Sequence, residues 1–285
     1  MRGTPRHRMK RTTTAAVMLA LCVGATAQSY DQWITRSFDL LEADSTAAAA
    51  EALKAAMRTE PANPRNALLL TNLGTLQRQL GQLAEAEISY SAALGLVPDN
   101  AKALASRAAL RAERDDLPGA IDDYTALIAL NPHDEEALYQ RALCRLMTAD
   151  TLGARLDLEA IDAFNPLSAK ARMGMAYVYK AEGLYAEAAE LYTALMANNP
   201  RNARLLRERA EVYYLSGRLG AALTDVNESI ALRPDEPMGY ALRARIRYTR
   251  GDREYARRDL HKAREMGIDD AILVDLERNL EENRK

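Results

Sequence analysis

The side chains able to do bond-breaking chemistry are few in this 285-residue chain, and they are scattered. The histidines are His7, His133 and His261. An imidazole base needs a nucleophile or a second ligand within hydrogen-bond reach, and no local spacing brings these three together. Cys144 falls in a series with Leu76, Leu110, Val178, Val212 and Ile246. It is therefore expected to be a buried, unreactive thiol. No glycine-rich phosphate loop and no cluster with metal-ligand spacing occurs. The adjacent acids Asp122-Asp123 and Glu135-Glu136 point to different helix sectors and are expected to be solvated helix ends. The chain is accordingly expected to be no enzyme and to need no cofactor or metal. Its arginines and tyrosines, the residue types enriched in binding hot spots, are the better prospect.

The elements that would position them follow from one period. Pro64, Pro98, Pro132, Pro166, Pro200 and Pro234 stand 34 residues apart without an insertion. A fixed period of this length marks a repeat architecture. Alanine and leucine are frequent and β-branched runs are absent, so the repeats are helical. With each proline at position 32, units begin at Ala67, Ala101, Glu135, Ala169, Ala203 and Pro237, after an irregular first unit near Tyr30. Position 8 (Gly74, Ala108, Ala142, Ala176, Ala210, Ala244) and position 20 (Ala49, Ala86, Ala120, Ala154, Ala188, Ala222, Ala256) are small. Two antiparallel helices can thus approach closely. Position 24 is mostly large and fills space towards the next unit.

Punctuation agrees with this register. Gly81, Gly183, Gly217 and Gly251 occupy position 15, where the chain turns back. Asp115 and Ala149 replace glycine there and predict less sharp turns. Each proline stops a second helix. Asn66, Asn100, Asp134, Ser168 and Asn202 are placed to cap the next first helix, and Pro237 stands at a first helical position. The ends break the pattern: Pro61 precedes Pro64, and Ile268 stands where a proline is due. Residues 271–285 read as a single helix with Ile272, Leu273, Leu276 and Leu280 on one face and Glu277, Arg278, Glu281 and Glu282 on the other. Arg278 falls where a repeat needs a small residue, so this helix is expected to cap the stack.

Residues 1–27 have the layout of a secretory leader. A positive stretch (Arg2, Arg6, Arg8, Lys10, Arg11) precedes a short apolar run and the small residues Ala25-Thr26-Ala27. Its removal would take five positive charges, shifting the formal net charge from −2 to −7. That balance argues against bulk nucleic-acid binding. Cys144 alone would remain, leaving no internal disulfide.

Taken together, the chain resembles the tetratricopeptide repeat (TPR) family. Besides positions 8, 15, 20, 24 and 32, Trp33 and Tyr240 match its position 4, Tyr179 and Tyr213 its position 11, and Ala56, Ala93 and Ala263 its position 27. Arg111, Arg145 and Arg247 depart from the pattern at position 11. The resemblance implies an all-α, right-handed superhelical solenoid of seven two-helix units (30–63, 67–100, 101–134, 135–168, 169–202, 203–236, 237–270), which makes up residues 28–270, plus a capping helix, 271–285. In this family the first helices line a concave groove. The resemblance places Tyr139, Lys170, Met173, Tyr177 and Lys180 there, followed by Arg204, Arg207, Glu211, Tyr214, Arg245 and Tyr248. It also implies a non-catalytic scaffold that binds a protein or peptide segment, the arginines favouring one with acidic groups; the leader-like residues 1–27 set the expected place in the bacterial cell envelope, in the periplasm or at the outer membrane. No nucleic acid and no stable membrane insertion are expected. The other classes it admits are an envelope glycan-binding module and an accessory subunit that positions a catalytic or secretion partner. The arginines recurring at position 7 (Arg36, Arg107, Arg141, Arg209, Arg243) are expected to be structural, with stems packed on neighbouring helices and heads paired with acids between units.

Overall fold

The computed structural model describes residues 28–197, 199–268 and 271–282; the leader-like segment lies outside them. Among the described residues there are fifteen α-helices and no strands. In order they are α1 (Tyr30–Glu42), α2 (Thr46–Thr59), α3 (Asn66–Gln79), α4 (Leu83–Leu96), α5 (Ala101–Glu113), α6 (Leu117–Leu130), α7 (Glu135–Met147) and α8 (Thr151–Phe164). There follow α9 (Ala169–Ala181), α10 (Tyr185–Met196), α11 (Ala203–Leu215), α12 (Leu219–Leu232), α13 (Pro237–Thr249), α14 (Arg253–Glu265) and α15 (Ala271–Glu282). Seven antiparallel pairs and one single helix form an all-α solenoid. None of these helices is long and apolar enough to cross a membrane.

Close approach within each pair rests on the small residues. Every alanine at positions 8 and 20, from Ala49 to Ala256, is 0% exposed. At Gly74 even one added carbon would sit 2.7 Å from the Tyr90 ring. The position-24 side chains Tyr90, Leu158, Tyr192 and Val226 are buried beside them.

The helices group into two compact units, the first ending at Ser106 and the second beginning at Arg107. In the first, Tyr30, Ala49, Leu53, Leu69, Leu73 and Leu76 form the core. Asn66 does not cap α3 as its residue type suggests. Its Oδ1 accepts from the Tyr30 hydroxyl at 3.0 Å, and its Nδ2 donates to the carbonyls of Glu60 and Pro61. Those bonds tie the irregular Pro61 segment to α1, and the helix begins after Arg65 instead. Asn100, Asp134, Ser168 and Asn202 do cap, accepting from the backbone N–H groups of Ala103, Ala137, Ala171 and Leu205.

In the second unit the position-7 arginines reach an unforeseen partner. Arg107, Arg141, Arg209 and Arg243 each fork onto a buried aspartate on the second helix of their own repeat: Asp123, Asp157, Asp225 and Asp259. All eight of these N···O distances lie between 2.6 and 3.0 Å. Three of these aspartates, Asp123, Asp157 and Asp259, also accept from Arg111, Arg145 and Arg247 at position 11. The expected pairing between units is thus corrected to pairing within a unit, because position 23 of the repeat, on its second helix, lies directly across from position 7. A link to the preceding unit runs through neutral groups. Arg141, Arg209 and Arg243 also donate to Thr125, Thr193 and Asn227. Arg36 in the first unit has no such acid and lies over Trp33. Asp123, expected to be solvated, is one of these buried acids. Glu135 likewise is engaged, accepting from Asn165 and Ser168, and these bonds hold its carboxyl below the usual carboxylate range.

Nor are the turns at Asp115 and Ala149 less sharp. Both residues take a left-handed φ (64° and 62°), close to that of Gly81 and Gly183 (74° and 77°). The closing bonds, Asp116 N–H to Arg111 and Asp150 N–H to Arg145, are 2.8 Å, as at Gly81. Extra fastening offsets the strain of a Cβ there. The Asp116 and Asp150 side chains accept from the Gly119 and Gly153 N–H groups, and Arg111 and Arg145 donate to the carbonyls of the same two glycines.

At the carboxyl end α15 lays Leu273, Leu276 and Leu280 on Ala241, Ala244, Ala256, Leu260 and Ala263. The side chain of Ile272 lies outside the described ones.

Removing one member of a buried ion pair strands the other charge, at a cost of about 3–5 kcal/mol. Asp157→Ala strips Arg141 of its carboxylate and leaves Arg145 only the longer carboxylate contact, to Asp150 at 3.6 Å, and is expected to cost that much in urea denaturation. Asp162→Ala, on the exposed face of the same helix, should change stability by less than about 0.5 kcal/mol.

Candidate partner-binding groove

The first helices α7, α9, α11 and α13 place the predicted groove residues at 34-residue spacing, and side chains of successive helices touch. Lys170 on α9 pairs with Glu136 on α7 at 2.5 Å. Arg204 on α11 donates to the Tyr177 hydroxyl on α9 at 3.2 Å. Lys180 pairs with Glu211 at 2.8 Å and lies over the Tyr177 ring. Arg207 engages Glu236 and Glu208. Arg245 on α13 lies over the Tyr214 ring of α11, its guanidinium carbon 5.0 Å from the centroid, and Thr249 donates to the Tyr214 hydroxyl. Tyr139, Met173 and Tyr248 are half-buried and serve mainly as packing against the cores beneath.

Charge on this face is therefore largely internally compensated. The Arg204–Tyr177 bond pushes the guanidinium pKa up, and the bond from Lys170 holds the Glu136 carboxyl down. Arg245 differs: among the described residues its guanidinium has no carboxylate or hydrogen-bond partner. Beneath the face, Tyr192 is 0% exposed and its hydroxyl has no hydrogen-bond partner. Burial, then the nearby Glu208, raises its pKa. The equivalent Tyr90 hydroxyl reaches Thr75 at 3.4 Å, but at that place in the Tyr192 repeat stands Tyr177, whose ring meets Tyr192 edge-on.

A cavity of about 110 Å³ opens where α11, α13 and α15 converge. Met238, Ala241, Leu242 and Leu273 supply its apolar wall, and Arg207, Glu208, Glu211 and Arg245 its polar one. The repeat register does not reveal Leu273, because α15 stands outside the period; nor does it mark Leu242 or Glu208, which fall between groove positions. Cys144 is buried, and burial pushes its thiol pKa up. His133 packs against Phe164, and His261 pairs with Glu265 on its own helix.

The tetratricopeptide repeat model matches residues 39–101 and 173–237. A solved tetratricopeptide repeat protein from Parabacteroides merdae is 36% identical, with a TM-score of 0.80 over 87% of this chain and 96% of that one. The chain belongs to the tetratricopeptide repeat family. Curated relatives match locally. A FAM10 family protein of Arabidopsis thaliana is 33% identical over 118 residues, 39% of this chain and 27% of its own length. The TPR chain thus spans about a quarter of that curated relative. The solved structure of YrrB, described as a TPR protein with an unusual peptide-binding site, is 18% identical with a TM-score of 0.52, covering 68% of this chain and 98% of its own, and shares the fold.

An orphaned buried hydroxyl costs about 1–3 kcal/mol. Tyr192→Phe is therefore expected to raise the stability of the free TPR chain by about 1 kcal/mol in chemical denaturation. A loss of similar size would mean that the hydroxyl has a partner in solution.

Proposed function

We propose that this chain is a non-catalytic scaffold of the bacterial cell envelope, exported by its amino-terminal segment, that binds a segment of a partner protein along α7, α9, α11 and α13. The observation that carries this reading is the pairing of half-buried tyrosines with arginines on that face, Tyr177 with the exposed Arg204 and Tyr214 with the half-buried Arg245. Aromatic rings pinned by cations lose little freedom when a ligand arrives, so less ordering free energy opposes binding. Guanidinium groups fork carboxylates, which favours a segment with acidic groups. Most cations here already hold an acid of the chain itself. A bound carboxylate therefore competes with Glu136 or Glu211, and such competition favours selectivity over bulk attraction to anions. The leader-like residues 1–27 support export, and the P. merdae relative supports a bacterial setting.

The double variant Lys170→Gln/Arg204→Gln changes two exposed side chains on this face. Affinity capture with the purified chain from an envelope fraction is expected to recover a partner whose binding the variant weakens about tenfold. Equal recovery by the variant would count against the groove.

A further inference from the structure

The cavity beside α15 has a size and a lining that specify an occupant. Its volume of about 110 Å³ exceeds the space of a single water severalfold. An apolar cavity of about 150 Å³ accepts benzene, so this one suits a single aliphatic side chain. Ala241, Leu242 and Leu273 give it an apolar wall, all less than 8% exposed. Water held against such a wall finds few hydrogen-bond partners, and its displacement by an apolar group favours binding.

The polar wall is selective in a different way. Arg207 is held by Glu236 and Glu208, and Glu211 is held by Lys180. These charges offset one another and call for no ligand charge. Arg245 alone has no carboxylate among the described residues. Its guanidinium carbon lies over the Tyr214 ring, 5.0 Å from the centroid, and its N–H donors hold no acceptor among the described residues, so they can fork an incoming carboxylate. One unfilled apolar cavity and one unengaged guanidinium thus lie on the same rim.

We propose that this rim is an anchor site that seats one aliphatic side chain of a partner-protein segment in the cavity while Arg245 holds the carboxylate of an adjacent Asp or Glu of that segment. The proposal rests on the groove reading and adds to it a place, a residue pair and a role for α15. That helix does more than cover the last repeat: through Leu273 it completes the wall. A neutral glycan matches neither half of the site, since it carries neither an aliphatic branch nor a carboxylate.

The test is selection from a random twelve-residue peptide library displayed on phage, with the full chain as bait. Enriched peptides are expected to carry Leu, Ile, Val or Met next to Asp or Glu. Arg245→Gln should keep the aliphatic preference, lose the acidic one and weaken a synthetic winning peptide roughly tenfold or more. Ala241→Met, which fills the cavity, should lose the aliphatic preference, with circular dichroism reporting the fold of both variants. Should Ala241→Met not fold, Arg245→Gln alone decides. Enrichment that ignores both substitutions overturns the anchor site. If those peptides still depend on Lys170 and Arg204, the groove stands without the anchor. Selection of no such peptide, with binding of a neutral glycan on an array instead, overturns both.

Discussion

Four buried aspartates hold the second compact unit in register. Asp123, Asp157, Asp225 and Asp259 are at most 5% exposed, and each takes both arms of an arginine from the facing helix. Buried charge is tolerated only when paired and hydrogen-bonded. Each fork therefore fixes how the two helices of its repeat can slide. The third arm of Arg141, Arg209 and Arg243 reaches a neutral side chain one repeat back, so each fork also sets the step to its neighbour. The repeat of α9 and α10 breaks the rule, with Met175 and Leu191 at the two places. There Arg155 from α8 crosses over instead, reaching the Met175 sulfur and Glu182 and stacking on Tyr179.

This arrangement decides which arginines are available to a ligand. The most regular arginine series, at position 7, is consumed by structure in the second unit. The arginines of the first-helix face are irregular in sequence and differ in their engagement. Arg207 is held by acids, Arg204 by a tyrosine hydroxyl, and Arg245 only by a ring. Conspicuous periodicity thus reports packing, and departures from it mark candidates for recognition.

Much of the fold was legible because close helix packing permits so few residue types. Small residues at positions 8 and 20, a left-handed position 15 and a proline stop recur strictly enough to register the repeats. The aspartate at position 23 recurs in four of the seven repeats, Asp123, Asp157, Asp225 and Asp259, yet its meaning emerges only when paired across two helices with position 7. Asn66 has the residue type of a cap, and a contact with Tyr30 across 36 residues redirects it. Ala149 holds its turn because Asp150 and Arg145 fasten both sides, a compensation spread over two side chains. The groove positions follow from the register, whereas the cavity does not, because α15 that walls it lies outside the period.

The central claim is that the face of α7, α9, α11 and α13 is where a partner lies. The most direct measurement places a photo-crosslinking amino acid at Tyr214 on that face, and separately at Leu156, an exposed residue of the second helix α8, in the chain expressed in its native host. The account predicts a crosslinked partner from position 214 and none from position 156. Crosslinking from position 156 alone would contradict it.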